Sequence, residues 1–248
     1  MDFYATIQAR SSSTRLPRKV LKKIGGLTVL EILVKRIKKS QKIKDVIVAT
    51  TKNKSDDAIV KLCKRKKIRY FRGSENDVLG RISDCLKKYK IKYHLELFGD
   101  SPLLDPQLLD EFITVFKTQK LDYLTNSFKT TYPPGMEINL YNSKVLFHLE
   151  KNIKKDSKSR EHVIGNFKEY INKKFKIKNI IAPKQFNYPN IYFEIDTLKD
   201  FLFFKKMYEN NNKFFDLNLT NLISMVKKYK LNKINSKVYR RWKRYRDD

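Results

Sequence analysis

The run Ile7 to Leu21, IQARSSSTRLPRKVL, decides how the rest of the chain is read. It follows the apolar-rich Phe3-Tyr4-Ala5-Thr6-Ile7, which has the composition of a first buried strand. Between Arg10 and Lys19 it gathers three arginines and a lysine with three serines and a threonine. Pro17 lacks a backbone donor and fixes φ, which marks the segment as a loop. A buried strand, a loop rich in hydroxyls and arginines and then a helix make a geometry suited to polyphosphate. Backbone N–H groups and hydroxyls donate to oxygens while Arg and Lys neutralise charge.

Outward from that loop the pattern alternates. Val46 to Thr50 (VIVAT) is an apolar run after a helix-like stretch from Thr28 to Ser40, and Ser55-Asp56-Asp57 opens a helix in capping style. Ile68 to Phe71 reads as a strand, Asp77 to Tyr89 as a helix, and Tyr93 to Phe98 as a strand ending at Gly99-Asp100. Asp105-Pro106 starts the next helix, with proline at its favoured first position. Later segments are predicted as a turn at Tyr132-Pro133-Pro134-Gly135, a strand near Met136 to Leu140, a helix from Ser143, a helix over Ser157 to Ile171, strands over Phe175 to Ile181 and Asn190 to Ile195, and helices from Leu198 to about Glu209 and Leu217 to Tyr229. Alternation of this kind gives an α/β fold, a mostly parallel sheet flanked by helices, with ligands beyond the carboxyl ends of the strands. Loops at Arg10, Arg72 and Asp100 then share one edge. The expected organisation is one domain over 1–229 with an inserted subregion at about 125–175, followed by a basic tail over 230–248.

The 248 residues suit one such domain, and 41% hydrophobic residues with 16 Phe and 14 Tyr can form a sizeable core. No run reaches the roughly 20 apolar residues that a membrane-spanning helix needs, and the N-terminus shows no signal-peptide pattern, which points to the cytoplasm. Cys63 and Cys85 lie on apolar helix faces with no Cys/His cluster near them, so reduced, buried thiols are expected rather than structural zinc. The net charge of +29 would attract polyanions. Its even spread, together with many Asn, Ile, Phe and Tyr, reads instead as compositional bias, and nucleic acid is not the expected partner.

Two carboxylate sites stand at predicted strand ends. Asp100 is placed to bind Mg²⁺, a cation that takes oxygen ligands and bridges carboxylate to phosphate. Glu194 and Asp196 are one residue apart in a predicted strand and so share a face, a costly pair unless a cation sits between them. Asp105, just before Pro106, reads as a helix cap, and Asp200 as a first-turn helix acid.

These residues resemble the cytidylyltransferases that act on acidic sugars, and most nearly the SpsF-type enzymes of spore-coat polysaccharide synthesis. Ala9, Arg10, Ser13, Thr14, Arg15, Leu16, Pro17, Lys19 and Leu21 fall on the first-loop pattern of that family, I-x-A-R-x-x-S-T-R-L-P-x-K-x-L, with Ser11 and Ser12 where relatives often carry glycine. Gly99-Asp100-Ser101-Pro102-Leu103-Leu104-Asp105-Pro106, Arg72-Gly73-Ser74-Glu75-Asn76-Asp77-Val78-Leu79-Gly80-Arg81, Thr131-Tyr132-Pro133-Pro134-Gly135-Met136-Glu137, Arg160-Glu161-His162-Val163 and Ile195-Asp196-Thr197-Leu198-Lys199-Asp200 match further family segments.

The resemblance covers residues 3 to about 205 and implies a Rossmann-like nucleotide-diphospho-sugar transferase fold. It implies CTP as co-substrate, Mg²⁺ as cofactor, a small acceptor and a homodimer. Nucleotide would be bound by Gln8, Ala9, Arg10, Ser13, Arg15, Lys19, Arg72, Gly73, Arg81 and Asp100, with Arg10, Lys19 and Asp100 catalytic. Metal would be held by Asp100, Asp196 and Glu194. The acceptor would meet Tyr132, Gly135, Glu137, Arg160, Glu161 and His162. Two other readings stay open: transfer to a phosphonate, phosphate ester or polyol, and a non-catalytic nucleic-acid binder using the basic tail around Tyr239.

Overall fold

The first predicted strand lies in the interior of the sheet. In the computed structural model, which describes residues 1–161, 174–240 and 242, β1 (Phe3–Gln8) is flanked on both sides by parallel neighbours. Around it run β2 (Lys23–Ile24), β3 (Leu27–Thr28), β4 (Ile43–Thr51), β5 (Arg69–Gly73), β6 (Tyr93–Phe98), β7 (Tyr123–Thr125), β8 (Asn139–Asn142) and β9 (Ile177–Asn179). The main sheet has the order β5-β4-β1-β6-β8-β7-β9. Strands β5, β4, β1 and β6 are parallel, β8 is antiparallel to β6 and β7, and β9 is parallel to β7. A separate two-stranded hairpin joins β2 to β3.

The helices are α1 (Val29–Ile37), α2 (Asp57–Arg65), α3 (Val78–Lys88), α4 (Pro106–Thr118), α5 (Ser143–Asn152), α6 (Leu198–Asn210) and α7 (Leu219–Lys228). Strand alternation divides them between two layers. Ala5, Ile7, Val46, Val48, Leu95 and Leu97 point into a core with Ile32, Leu33, Phe112, Phe203 and Val226 of α1, α4, α6 and α7. Ile47 and Ala49 point the other way, against Leu79, Ile82 and Cys85 of α3 and Leu146 and Leu149 of α5. A parallel strand covered on both faces must be apolar at consecutive positions, which is what VIVA in β4 supplies. Both cysteines are buried, unpaired thiols.

The predicted starts of the helices rest on their caps. Thr28 and Glu31 form a capping box on α1, and Thr197 and Asp200 form one on α6. Asp105 accepts from the backbone N–H groups of Gln107 and Leu108 ahead of Pro106.

Three predicted elements come out differently. Asn190 to Ile195 is not a strand. Phe193 N donates to Pro134 O at 2.6 Å and Ile195 N to Asp100 O at 2.8 Å, so this segment is pinned to a turn and a loop and joins no ladder. Its apolar side chains are buried between layers, so apolar composition alone mimicked a strand. Of the helix predicted over Ser157 to Ile171, Lys158–Glu161 is a 3₁₀ turn and residues 162–171 lie outside the described ones. The segment after 229 packs on the body: Leu231, Asn235 and Arg240 are buried.

Candidate active site

The first loop leaves β1 and is held by a residue that the sequence reading took only as part of a helix start. Buried Asp56 accepts from Ser11 N at 2.6 Å and from the Thr51 hydroxyl at 2.5 Å. Arg18 N then donates to Ser11 O at 3.0 Å, closing the loop, and Arg18 itself takes a left-handed φ of 55°. Ala9 N donates to Ala49 O, and Ser13 Oγ accepts from Leu16 N, so both stabilise the loop from within.

The loop's cations meet the strand-end carboxylates. Lys19 Nζ lies 2.6 Å from Asp100 Oδ2 and 2.8 Å from Asp196 Oδ1, and Arg15 Nη2 lies 2.7 Å from Asp196 Oδ2. The geometry thus brings together four residues from three distant parts of the chain. Burial alone would raise the Asp196 carboxyl, but Lys19 and Arg15 outweigh it and hold it below its usual range. Burial alone would lower the Lys19 ammonium, and its two carboxylates keep it raised instead. Lys19 is therefore a cation at any physiological pH.

Glu194 stands apart from this cluster. Its Oε1 accepts from Trp242 Nε1 at 2.7 Å and faces Arg240 Nη1 at 3.4 Å. Burial, with Glu137 and Asp196 as nearby negative charges, pushes its carboxyl up to about 8. Glu194 and Asp196 still feel each other's charge, but they take different partners. Arg240 is buried, bonds Asp200 at 2.6 Å and stacks its guanidinium 4.2 Å from the Tyr192 ring. Tyr239 O accepts from Arg15 at 3.4 Å. The C-terminal segment thus forms one wall beside Arg15 and Glu194, which charge and composition did not foretell.

The turn before Glu137 meets the Phe193–Glu194 backbone. Gly135 has φ of 102°, and a Cβ there would stand 2.5 Å from the Phe193 backbone, so only glycine fits. Gly135 N donates to Glu137 Oε2 at 2.8 Å. Gly135 and Glu137 are therefore next to Glu194, on the expected acceptor side.

Across the loop, Arg10 pairs with Glu161 at 3.5 Å and Glu75 at 3.9 Å, all three partly exposed. Other predicted residues have different surroundings. Arg160 is 1% exposed, clamps Asp77 through Nε at 2.8 Å and Nη2 at 2.9 Å, and also donates to Ile153 O. Its guanidinium is engaged in fixing the α3 cap residue, so it serves the fold here. Tyr132 is buried between Phe112 and Phe186, which makes it a core residue. Gly73 is required by packing, since a Cβ would stand 2.6 Å from Arg81 Cγ. Arg81 is buried and donates to Ser74 O at 2.5 Å, which ties the start of α3 to the loop before it. Arg72 bonds Thr51 O and Asn53 O and pairs with Asp57. His162 lies outside the described residues.

For the expected divalent cation, the donor chemistry is a pair, not a triad. Among the described residues no three His, Cys, Asp or Glu converge on one point. Asp100 and Asp196 do converge, on Lys19 Nζ, while Glu194 turns away. Two carboxylates completed by phosphate oxygens and water suit Mg²⁺, which seldom uses an all-protein cage.

Comparison with known proteins agrees with this architecture. A family model described as cytidylyltransferase matches residues 4–223. The spore coat polysaccharide biosynthesis protein SpsF of Bacillus subtilis is 31% identical over 91% of this chain and 94% of its own length. The structure of a cytidylyltransferase from Leptospira borgpetersenii superposes with a TM-score of 0.88 at 30% identity, covering 97% of this chain and all of that one. CMP:2-keto-3-deoxy-manno-octonic acid synthetase, solved with CTP, shares the fold with a TM-score of 0.63 at 13% identity over 85% of this chain and 99% of its own. Among the described residues no helix is long and apolar enough to cross a membrane.

Proposed function

The chain belongs to the cytidylyltransferase family and is a nucleotidyltransferase, and from that premise we propose that it transfers CMP from CTP to a hydroxyl oxygen of a sugar or sugar-like acceptor. The observation that carries this reading is the meeting of Lys19 and Arg15 with Asp100 and Asp196 at the carboxyl ends of parallel strands. A nucleic-acid-binding surface has no use for carboxylates placed there.

The acceptor oxygen attacks the α-phosphorus, and the bond from that phosphorus to the bridging oxygen of the β-phosphate breaks. The acceptor hydroxyl gives its proton to water or to a carboxylate on the acceptor side such as Glu137, and pyrophosphate leaves. Lys19 and Arg15, already fixed as cations at the strand ends, turn from carboxylates to the incoming phosphates and neutralise the charge that builds on the leaving group. Arg10, half-exposed at the loop tip, contributes a third positive charge. Asp100 and Asp196 would hold Mg²⁺, which would supply further charge neutralisation at the phosphates. Glu137 and Glu194, beside the Gly135 turn, face the acceptor side. The polysaccharide context of SpsF supports a sugar acceptor.

The test is pyrophosphate release from CTP, UTP, ATP and GTP with Mg²⁺ against acidic sugars, phosphonates and polyol phosphates. Release with CTP and an acidic sugar is expected. Release only with a phosphonate or polyol phosphate replaces the acceptor class. Absence of CTP binding, with tight binding to nucleic acid, overturns the reading.

A further inference from the structure

The face of the sheet covered by α3 and α5 carries a row of buried polar groups that the phosphate chemistry does not use. Thr6 and Gln8 of β1 lie beside His94 and Glu96 of β6, and Glu96 pairs in register with Asn139 of β8. Gln8 Nε2 donates to Glu96 Oε1, and the Tyr141 hydroxyl donates to Glu96 Oε2. Glu96 is wholly buried, and Asn139 Nδ2 beside it is buried without a partner among the described residues.

Gln8 is the last residue of β1 and the second of the loop signature, at the strand end where a nucleotide would lie. The Arg81 end of α3 stands opposite, close enough for its charge to be felt at Glu96. A carboxylate can only accept hydrogen bonds. Both oxygens of Glu96 accept here, so the amide of Gln8 is fixed with its nitrogen inward. Its Oε1 takes no bond from any described residue and is not sealed in the interior. The half-buried side chain therefore offers one oriented acceptor at the mouth of a polar wall.

We infer that Gln8 distinguishes cytosine from uracil by accepting from the exocyclic amine of cytosine, and that Glu96 is the positioning residue that keeps the amide in this orientation. The inference rests on the proposed use of CTP. Uracil carries a carbonyl oxygen where cytosine carries the amine, so the same Gln8 oxygen meets an acceptor and leaves both unpaired. Without Glu96 as an obligate acceptor, the amide can turn and donate to uracil equally well.

Calorimetric titration of the full chain with CTP and with UTP, with Mg²⁺ and no acceptor, tests this. Wild type is expected to bind CTP about tenfold or more tightly over UTP. Gln8→Ala should bring that ratio to within about threefold of unity by weakening CTP, with UTP little changed. Glu96→Gln can donate to Gln8 Oε1, which permits the turned amide, so its ratio should also collapse, chiefly by tighter UTP binding. A purely structural role for Glu96 would weaken both nucleotides together and leave the ratio intact. A Gln8→Ala variant that keeps the wild-type ratio overturns the inference alone, and it decides the matter if Glu96→Gln does not fold. Wild type that binds neither nucleotide overturns both this inference and the CTP reading beneath it.

Discussion

Glu194 and Asp196 flank Ile195, yet their carboxyls move in opposite directions. Asp196 is held below its usual range, while Glu194 is pushed up to about 8. Both are largely buried, so burial raises both. The difference lies in their neighbours. Asp196 faces Lys19 and Arg15 at 2.8 and 2.7 Å, whereas Glu194 faces the negative charges of Glu137 and Asp196, with Arg240 only at 3.4 Å. The Lys19 side of the site is thus a neutralised cluster of cations and carboxylates. The Gly135 side gathers carboxyl groups, and Glu194 among them is protonated near neutral pH.

The largest expected effect separates these two sides. Lys19→Ala or Asp100→Asn should lower pyrophosphate release by about 10²-fold or more, whereas Glu194→Gln should lose about tenfold or less, since an amide still accepts from Trp242. Equal losses at Lys19 and Glu194 would erase the distinction. Next comes Gly135→Ala, which forces a left-handed φ on a side chain and drives a Cβ into the Phe193 backbone. Urea denaturation should show a loss of about 2–3 kcal/mol, and a loss under about 0.5 kcal/mol would mean that the turn relaxes freely.

A smaller effect is set by pH. Glu194 is raised when folded, so its cost is absent below its ordinary unfolded value of 4.5 and grows until about pH 8. Asp196 is depressed, so its contribution is present throughout that window and is lost only as acid titrates it below 3.8. Glu194→Gln should therefore raise the melting temperature by a few degrees at pH 8 and by much less at pH 5. A gain of the same size at both values would show that Glu194 does not titrate between them. The smallest effect belongs to an exposed ion pair. Asp57→Ala, which removes the carboxylate beside Arg72, should cost under about 1 kcal/mol by the same denaturation assay, and more would assign Arg72 a larger structural share.

Much of the parallel half was legible from residues alone. Tyr93–Phe98 was delimited by its apolar alternation and the Gly-Asp that ends it, and α4 by Asp105-Pro106, because caps and breakers act through local geometry. The run Asn190 to Ile195 misled because burial between a turn and a loop demands the same apolar composition as burial in a sheet. Arg160 misled for a related reason. Its charge suited an acceptor, but the partner that claimed it, Asp77, is 83 residues away in sequence. Asp56 and Arg240 were overlooked as organisers of the site because an anchoring carboxylate or a buried guanidinium carries no local signature.

The sequence by itself determined the loop and its chemistry. Hydroxyls, cations and Pro17 after a buried strand mark a loop whose composition suits phosphate, and each of those properties is local. It also determined the layered α/β class, since alternation of buried strands and amphipathic helices leaves few other packings. Only the tertiary structure decided which charges face one another: that Lys19 sits between Asp100 and Asp196, that Glu194 turns to Trp242, and that Glu96 fixes Gln8. The physical reason is that electrostatic partnership falls off over a few ångströms in space. Side chains separated by 81 or 177 residues meet only after the sheet has closed the distance.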